Sequence, residues 1–269
     1  MLRGASAEAR DALAADLGKR LEGSSADAAA IGEELFGVAG VLRGEAPVRR
    51  ILTDASIEGE AKAGLVGNVF GQTVGEATLD VVKDAVQRRW TAGRDLADVL
   101  EYLGVMATVR SSGSDEGRVS DELFEVRQMV DSQQELRSTL SDPARSAEDK
   151  AGLLRQLLDG KVQKATLVLV GQAVSGSHGA IDRALVDFQH IAAEARSEKL
   201  ALVHAARELS DSERDRLVQA LSQQYSTTVH LQVVVDPTLV GGLRVEIDDD
   251  VIDGTVVSRL DDAQRRLVG

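Results

Sequence analysis

A pair of glycines and a group of aspartates near the end of the chain are the residues best suited to chemistry. Gly241 and Gly242 follow an apolar stretch, and Asp248–Asp250 and Asp253 come soon after them. A glycine-rich segment can cradle a phosphate when it joins a strand to a helix, because free backbone N–H groups and the helix dipole then face the anion. A cluster of carboxylates can bind a hard cation such as calcium. The surrounding sequence decides whether either chemistry is present.

The context of both groups argues against these two chemistries. The glycines lead into Leu243–Ile247, a strand-like run, and the chain has no Gly-Lys-Ser/Thr or Gly-x-Gly-x-x-Gly pattern. The aspartates lack the Asp-x-Asp-x-Asp-Gly spacing and the distal glutamate of a calcium loop. Since successive residues of a hairpin point to opposite faces, the aspartates are predicted to form a solvated turn.

The other reactive side chains are scattered along the sequence. The chain has no cysteine, which excludes disulfides, thiolate nucleophiles and Cys-based zinc sites. Its histidines show no metal-ligand spacing and no paired nucleophile. They are His178, His190, His204 and His230. The sequence therefore predicts no catalytic residue, no metal site and no cofactor.

Charge and composition limit the choice of partners. The 44 acidic and 31 basic residues give a formal net charge of −13, which repels nucleic acid and anionic lipid alike. Aromatic residues make up only 3%, so the cores must consist mainly of Leu, Val, Ile and Ala, a composition that favours helical layers. No apolar run approaches the roughly 20 residues that span a bilayer. We therefore predict partners with basic or apolar surfaces, no nucleic acid and no direct membrane insertion.

A duplication covers the first part of the chain. A shift of 88 positions places Glu34-Leu35-Phe36 on Glu122-Leu123-Phe124, and Lys62–Leu65 on Lys150–Leu153, without a gap. The apolar face of one predicted helix recurs at the same offset. Its positions are Ile31, Leu35, Val38 and Leu42 in the first copy and Val119, Leu123, Val126 and Val130 in the second. Matching cores imply matching folds.

Each copy is predicted to be a compact bundle of helices. The first bundle covers residues 1–110 and the second covers residues 94–198, so that both include the helix at 94–110. In the second bundle, Ser146 is a predicted helix cap. Each copy is expected to own its apolar core, and deletion of residues 1–92 is therefore expected to leave a foldable second bundle.

The apolar period changes to that of strands after residue 199. Leu200–Ala206 and Thr228–Val235 are predicted strands, and the capping box Ser210–Glu213 begins a helix between them. Leu243–Ile247 and Val251–Ile252 are predicted to pair across the aspartate turn, before a terminal helix. The predicted fold class is mainly α, with two tandem helical bundles followed by a small α/β domain, residues 199–269, that contains a mixed sheet.

The tail resembles the C-terminal signature of a known family. Asp236–Gly242, followed by Val251–Thr255, is similar to the ATP synthase delta subunit family, called the oligomycin-sensitivity-conferring protein in mitochondria. The signature positions are Asp236, Pro237, Gly241, Gly242, Asp253, Gly254, Arg259 and Leu260. The second helical copy resembles the family's N-terminal bundle, and the duplication resembles actinobacterial members. Asp248 replaces a usual glycine and Thr255 a usual serine, changes that a tight turn tolerates.

The resemblance implies a non-catalytic stator subunit of the F-type proton-translocating ATP synthase, peripheral to the cytoplasmic side of the cell membrane. Family members bind N-terminal segments of the alpha subunits through the helical bundle, and b-type stator subunits through the C-terminal region. The alpha site involves the first and fifth helices of the bundle. The matching fifth-helix candidates are Ala77, Leu79, Val82 and Val86 in the first copy and Ala165, Leu167, Val170 and Val174 in the second.

Two other classes of function compete with this interpretation. One is a free-standing helical adaptor unrelated to the motor, and the other is an enzyme that uses the small α/β domain. Thermal shift with nucleotides, metals and an alpha N-terminal peptide separates them, because a ligand stabilises the fold that binds it. Only stabilisation by the peptide fits a stator subunit.

Overall fold

The computed structural model describes residues 2–22, 25–176, 179–248 and 250–256. Over these residues the chain forms twelve α-helices and a four-stranded mixed sheet, in two compact units of residues 1–192 and 193–269. The mainly helical fold with a small α/β tail is thus confirmed. Four residues singled out above lie outside the described residues: His178, Asp249, Arg259 and Leu260. The predicted terminal helix also lies outside them from residue 257 onward.

The first copy of the duplication consists of six helices. They are α1 (Ala5–Leu21), α2 (Ser25–Gly44), α3 (Ala46–Thr53), α4 (Gly59–Phe70), α5 (Glu76–Gln87) and α6 (Gly93–Arg110). A proline, Pro47, lies in the first turn of α3. It is tolerated there because the first N–H groups of a helix have no partner within the helix.

The second copy repeats this succession. A short 3-10 helix (Gly113–Asp115) leads to α7 (Glu116–Ser132), α8 (Gln134–Ser141), α9 (Ala147–Leu158), α10 (Lys164–Ser175) and α11 (Ile181–Ala195). α8, α9 and α10 follow α3, α4 and α5 at the offset of 88 residues that separates Ala46 from Gln134. α6 follows α1 at the same offset, from Ala5 to Gly93. The last helix of the first copy is therefore the first helix of the second.

This shared helix, α6, is buried around nearly its whole circumference. Between Asp95 and Val109, only Asp98 and Tyr102 are partly exposed. α6 packs against α1, α2 and α3 of the first copy and against α7 and α10 of the second. A helix that is apolar all round belongs in an interior. The boundaries 1–110 and 94–198 stay a prediction, but the expectation that each copy owns a separate core does not fit the burial of α6.

One glutamate in each copy binds the N-terminus of the fifth helix, which is α5 in the first copy and α10 in the second. Glu34 of α2 accepts hydrogen bonds from the backbone N–H of Gly75, at 3.0 Å, and from the hydroxyl of Thr78, at the start of α5. In the second copy Glu122 of α7 accepts from the N–H of Gln163, at 2.9 Å, and from the hydroxyl of Thr166. A carboxylate at a helix N-terminus satisfies free N–H groups and opposes the helix dipole. The duplication thus extends to its polar contacts.

The small unit contains a mixed sheet and one covering helix. Its elements are β1 (Glu198–Ala205), α12 (Asp211–Tyr225), β2 (Thr228–Val235), β3 (Leu243–Ile247) and β4 (Asp250–Asp253). The strand order is β2-β1-β3-β4; β1 runs parallel to β2, and the other pairs are antiparallel. The core consists of Ala201, Val203, Leu221, Val229, Val245 and Ile247.

The helix caps predicted from the sequence are present in the structure. Ser146 accepts the N–H of Asp149 at 3.0 Å at the start of α9. Glu213 accepts the N–H of Ser210 at 2.9 Å and completes the capping box of α12. One boundary differs, because the last helix of the second bundle, which is predicted to extend to residue 198, ends at Ala195. Ser197 then takes a left-handed conformation, with φ of 57°, and turns the chain into β1.

The buried glutamate of the second copy provides a test of the shared architecture. Replacing Glu122 by alanine is expected to lower the free energy of unfolding by about 1–3 kcal/mol, because the N–H of Gln163 and the hydroxyl of Thr166 lose their acceptor. Urea unfolding followed by circular dichroism measures this loss. The control is Glu125→Ala, an exposed position on the same helix. Equal stability of the two variants would contradict the structural role.

Truncation tests the shared core. Deleting residues 1–92 removes the partners of α6 in the first copy and exposes Leu96, Val99 and Leu103, which are fully buried in the whole chain. We expect a product that binds the dye ANS and lacks the fixed side-chain NMR signals of a packed core, because apolar packing is lost on one side of α6. A chain that ends at Ser197 keeps α1–α11 and serves as the control. A truncated chain as well ordered as this control would show that the second copy has its own core.

Candidate functional site

The seam between α1 and α5 is a solvent-open contact of two helices. Arg20 of α1 pairs with Asp84 of α5 at 2.9 Å, and Arg88 at the end of α5 pairs with Asp16 at 3.7 Å. The side chains of all four residues are about four-tenths exposed. Ion pairs this exposed contribute little to stability, so water or a partner can replace them at small cost.

The predicted fifth-helix residues divide into buried and accessible positions. In the first copy Val82 and Val86 are fully buried, Leu79 is half-buried and Ala77 is exposed. Val82 and Val86 therefore pack in the core and offer no surface. Ala77 lies on the same strip of α5 as Asp84, because residues separated by whole turns share a face.

In the second copy two candidate positions are again buried, and neither of the other two is fully exposed. Ala165 and Val170 are buried, whereas Leu167 and Val174 are half-buried. The accessible candidates are therefore Ala77, Leu79, Leu167 and Val174, and the buried four belong to the helical core.

In the small unit, the two glycine segments of the signature lie side by side. Gly254 donates its N–H to the carbonyl of Leu243 at 2.8 Å, and Val256 donates to the carbonyl of Gly241 at 3.0 Å. The pairing of β3 with β4 thereby continues beyond both strands. Gly242 has φ of +87°, and a Cβ added to it would lie 2.4 Å from the carbonyl oxygen of Gly254. Both the backbone conformation and the close approach require glycine.

The aspartates of the signature close two turns of the same type. Asp236 Oδ1 accepts the N–H of Thr238 at 2.9 Å, and Asp253 Oδ1 accepts the N–H of Thr255 at 2.9 Å. The pKa of Asp236 is lowered by the hydroxyl of Thr238 and then by its N–H, and the pKa of Asp253 is lowered first by the N–H of Thr255. A side chain that binds the backbone two residues ahead mimics a backbone turn. Asp236-Pro237-Thr238 and Asp253-Gly254-Thr255 therefore serve geometry rather than catalysis.

Two aspartates at the predicted turn, Asp248 and Asp250, contact protein groups. Asp248 binds the ammonium group of Lys199 at 2.5 Å, and this bond raises the pKa of the lysine. Asp250 accepts from the hydroxyl of Tyr225 at 3.1 Å. Asp248 has φ of 52°, a conformation that favours glycine and that aspartate tolerates. Strands β3 and β4 pair on either side of this segment, and the carboxylates of Asp248 and Asp250 join the hairpin to β1 and α12.

A cleft lies between α12 and the glycine segment. Its volume is about 810 Å³, and its lining includes Leu209, Leu217, Leu239 and Val240. Val240 is 78% exposed. At the rim, Glu213 accepts from Arg207 at 2.7 Å, and this bond is the main reason why the pKa of Glu213 falls to about 2. The cleft therefore has an apolar floor and a charged rim.

Potential metal ligands are not grouped in the part of the chain that the structure describes. Within the ranges 2–22, 25–176, 179–248 and 250–256, no group of three or more His, Asp or Glu side chains could hold a metal ion. His190, His204 and His230 lie on α11, β1 and β2. In the same ranges, no helix has the length and apolar character needed to cross a membrane.

One polar network was not anticipated from the sequence. Glu101 of α6 is buried and accepts from Arg43 of α2 at 2.7 Å and from Gln172 of α10. Its counterpart in the first copy is the buried Leu13. A signal was available, because a glutamate at a position where the other copy has a core leucine needs a buried partner.

The comparisons with known proteins point to one family. The family profile described as ATP synthase delta (OSCP) subunit matches residues 105–267. "ATP synthase subunit delta" of a Nocardioides species is 50% identical, with 100% of this chain and 98% of that protein covered. The protein of the same name from Streptomyces griseus is 39% identical, with both chains fully covered. The duplicated first copy is therefore present in these relatives too.

Among solved structures, similarity extends to the cryo-EM structure of the Toxoplasma gondii mitochondrial ATP synthase hexamer. The match has 20% identity and a TM-score of 0.37, and it covers 62% of this chain and 96% of that one. A TM-score this low adds no argument, so the assignment depends on the profile and the relatives. On these grounds the chain belongs to the ATP synthase delta (OSCP) family and is a non-catalytic stator component of the ATP synthase.

Proposed function

We propose that the helical unit binds the N-terminal segment of an alpha subunit and that the small α/β unit holds a b-type stator subunit. The chain then ties the catalytic head to the peripheral stalk and resists the torque of the rotor. This task requires lasting contacts on two surfaces and no reactive pocket. We place the chain at the cytoplasmic side of the cell membrane, as a peripheral part of the ATP synthase.

The open seam between α1 and α5 is the observation that carries the proposed contact with the alpha subunit. Ala77 is exposed on it, Leu79 is half-buried, and the ion pairs along it are open to solvent. A partner helix binds such a groove by laying its apolar face between two helices.

The cleft of the small unit supports the proposed contact with a b-type stator subunit. It combines an apolar floor with the exposed side chain of Val240 and the rim charges of Arg207 and Glu213. Exposed apolar surface rimmed by polar groups is typical of interaction sites. The end of a stalk helix with apolar and charged residues fits this surface.

A peptide tests the proposed contact with the alpha subunit. A synthetic peptide of the alpha N-terminal segment, at about a hundredfold excess over its Kd, is expected to raise the Tm of the chain by about 5–10 °C. Ala77→Trp should reduce this shift, because the indole fills the seam. Ala61→Trp, on the exposed face of α4, is the matched control. A scrambled peptide that stabilises equally, or an Ala77→Trp chain that responds like the control, would contradict the proposal.

Gly242→Val tests the proposed contact with a b-type stator subunit. The valine Cβ would clash with the backbone of Gly254 and Thr255, and its φ is strained, so the small unit should lose about 1–3 kcal/mol of stability. We expect the assembled enzyme to keep ATP hydrolysis and to lose hydrolysis-driven proton pumping, since the tether to b loosens.

The control for this substitution is Gly160→Ala. Gly160 also has a positive φ, +71°, but nothing lies within 4 Å of an added Cβ. A side chain at position 160 therefore meets the same backbone strain as one at position 242 but no steric clash. Gly160 also lies in the helical unit, not among the residues that line the cleft of the small unit. Full coupling in the Gly242→Val enzyme would refute the assignment of this segment to stalk attachment, and loss of hydrolysis in detached F1 would contradict the non-catalytic role.

A further inference from the structure

Each copy has a seam between its first and fifth helices. The first seam lies between α1 and α5 and the second between α6 and α10, so their residues can be compared position by position. The offset of 88 residues that relates α1 to α6 places Asp16 on Gly104 and Arg20 on Thr108. The same offset, which relates α5 to α10, places Asp84 on Gln172. The charged, solvent-open positions of the first seam are thus uncharged in the second.

The exposure of the two seams differs accordingly. The side chain of Arg20 is 40% exposed, whereas Thr108 is 2% exposed. The side chain of Asp84 is 41% exposed, whereas Gln172 is half-buried and bonds to the buried Glu101. Something covers the second seam that does not cover the first.

The cover is α2 of the first copy, which packs against both α6 and α10. Its approach to α6 is close enough to require glycine on both helices. A Cβ at Gly32 would lie 2.3 Å from Thr108 Oγ1, and a Cβ at Gly104 would lie 2.6 Å from the ring of Phe36. Gly104 and Thr108 are therefore the floor on which α2 lies.

A buried polar network connects the three helices. Arg43 of α2 donates to Glu101 of α6 at 2.7 Å and to Asp98 at 3.3 Å. The other carboxylate oxygen of Glu101 accepts from Gln172 of α10. α2 thus contacts both helices of the second seam, α6 and α10, and its C-terminal end adds the ion pair between Arg43 and Glu101.

We infer that α2 is the built-in occupant of the second seam, so that the chain receives a single partner helix, in the first seam. The identity of the incoming helix as an alpha N-terminal segment rests on the proposed function. The occupancy of the second seam rests on the contacts of α2 alone.

The second seam also indicates which helix fits the first. α2 brings a small residue, Gly32, an aromatic ring, Phe36, and an arginine, Arg43, that meets carboxylates. The first seam offers the carboxylates of Asp16, Asp80 and Asp84 beside two arginines. Its occupant is therefore an amphipathic helix with small residues on its apolar face and basic residues at the rim.

Paired cysteines test the inference in the full-length chain, which has no cysteine of its own. The matched variants are Asp84→Cys in the first seam and Gln172→Cys at the equivalent position of the second. Thiol labelling is expected to be about tenfold slower at position 172 than at position 84, because α2 covers it. The synthetic alpha N-terminal peptide should slow labelling at position 84 and leave position 172 unchanged. Calorimetry on the unmodified chain should give one peptide per chain.

The outcomes separate the two proposals. Equal labelling rates in the free chain would show that α2 does not cover the second seam. Two peptides per chain, or protection at position 172, would show that both seams are binding sites. A peptide that binds nowhere would refute the proposed alpha contact, while slow labelling at position 172 would still support the occupancy by α2.

Discussion

The burial of α6 is the constraint on which the helical unit depends. One helix ends the first copy and begins the second, and both copies bury apolar side chains against it. Neither copy can move away from α6 without exposing part of its own core to water, which costs free energy in proportion to the apolar area. The junction between the copies is therefore a packed helix rather than a flexible linker, which suits a protein that transmits torque.

Sharing a helix also makes the copies unequal. α6 serves the first copy as a sixth helix and the second as a first helix, so the face that would line a groove in the second copy is the face on which α2 lies. The residues on this face of α6 differ accordingly from their counterparts in the first copy. Gly104, Thr108 and Glu101 stand where the first copy has Asp16, Arg20 and Leu13.

Much of the fold could be predicted from the sequence because its signals are local. The strands Thr228–Val235 and Leu243–Ile247 alternate or form short apolar runs, and the capping box at Ser210 marks the start of α12. The duplication follows from identities at one offset. The burial of Val82 and Val86, by contrast, depends on which side of α5 meets the bundle. That orientation is a tertiary property, and apolar periodicity alone does not separate a core face from a docking face.

The shared helix means that the chain is built as a repeat protein in miniature. Each unit of 88 residues adds five helices and uses the last helix of the preceding unit as its first, so another unit could be inserted without a new linker and without an unpaired apolar surface. In such arrays stability is a sum of unit and interface contributions, and the end units differ because they face water. A lineage can therefore lengthen the connection between head and stalk by whole units, each insertion closing the binding groove of the unit that follows it.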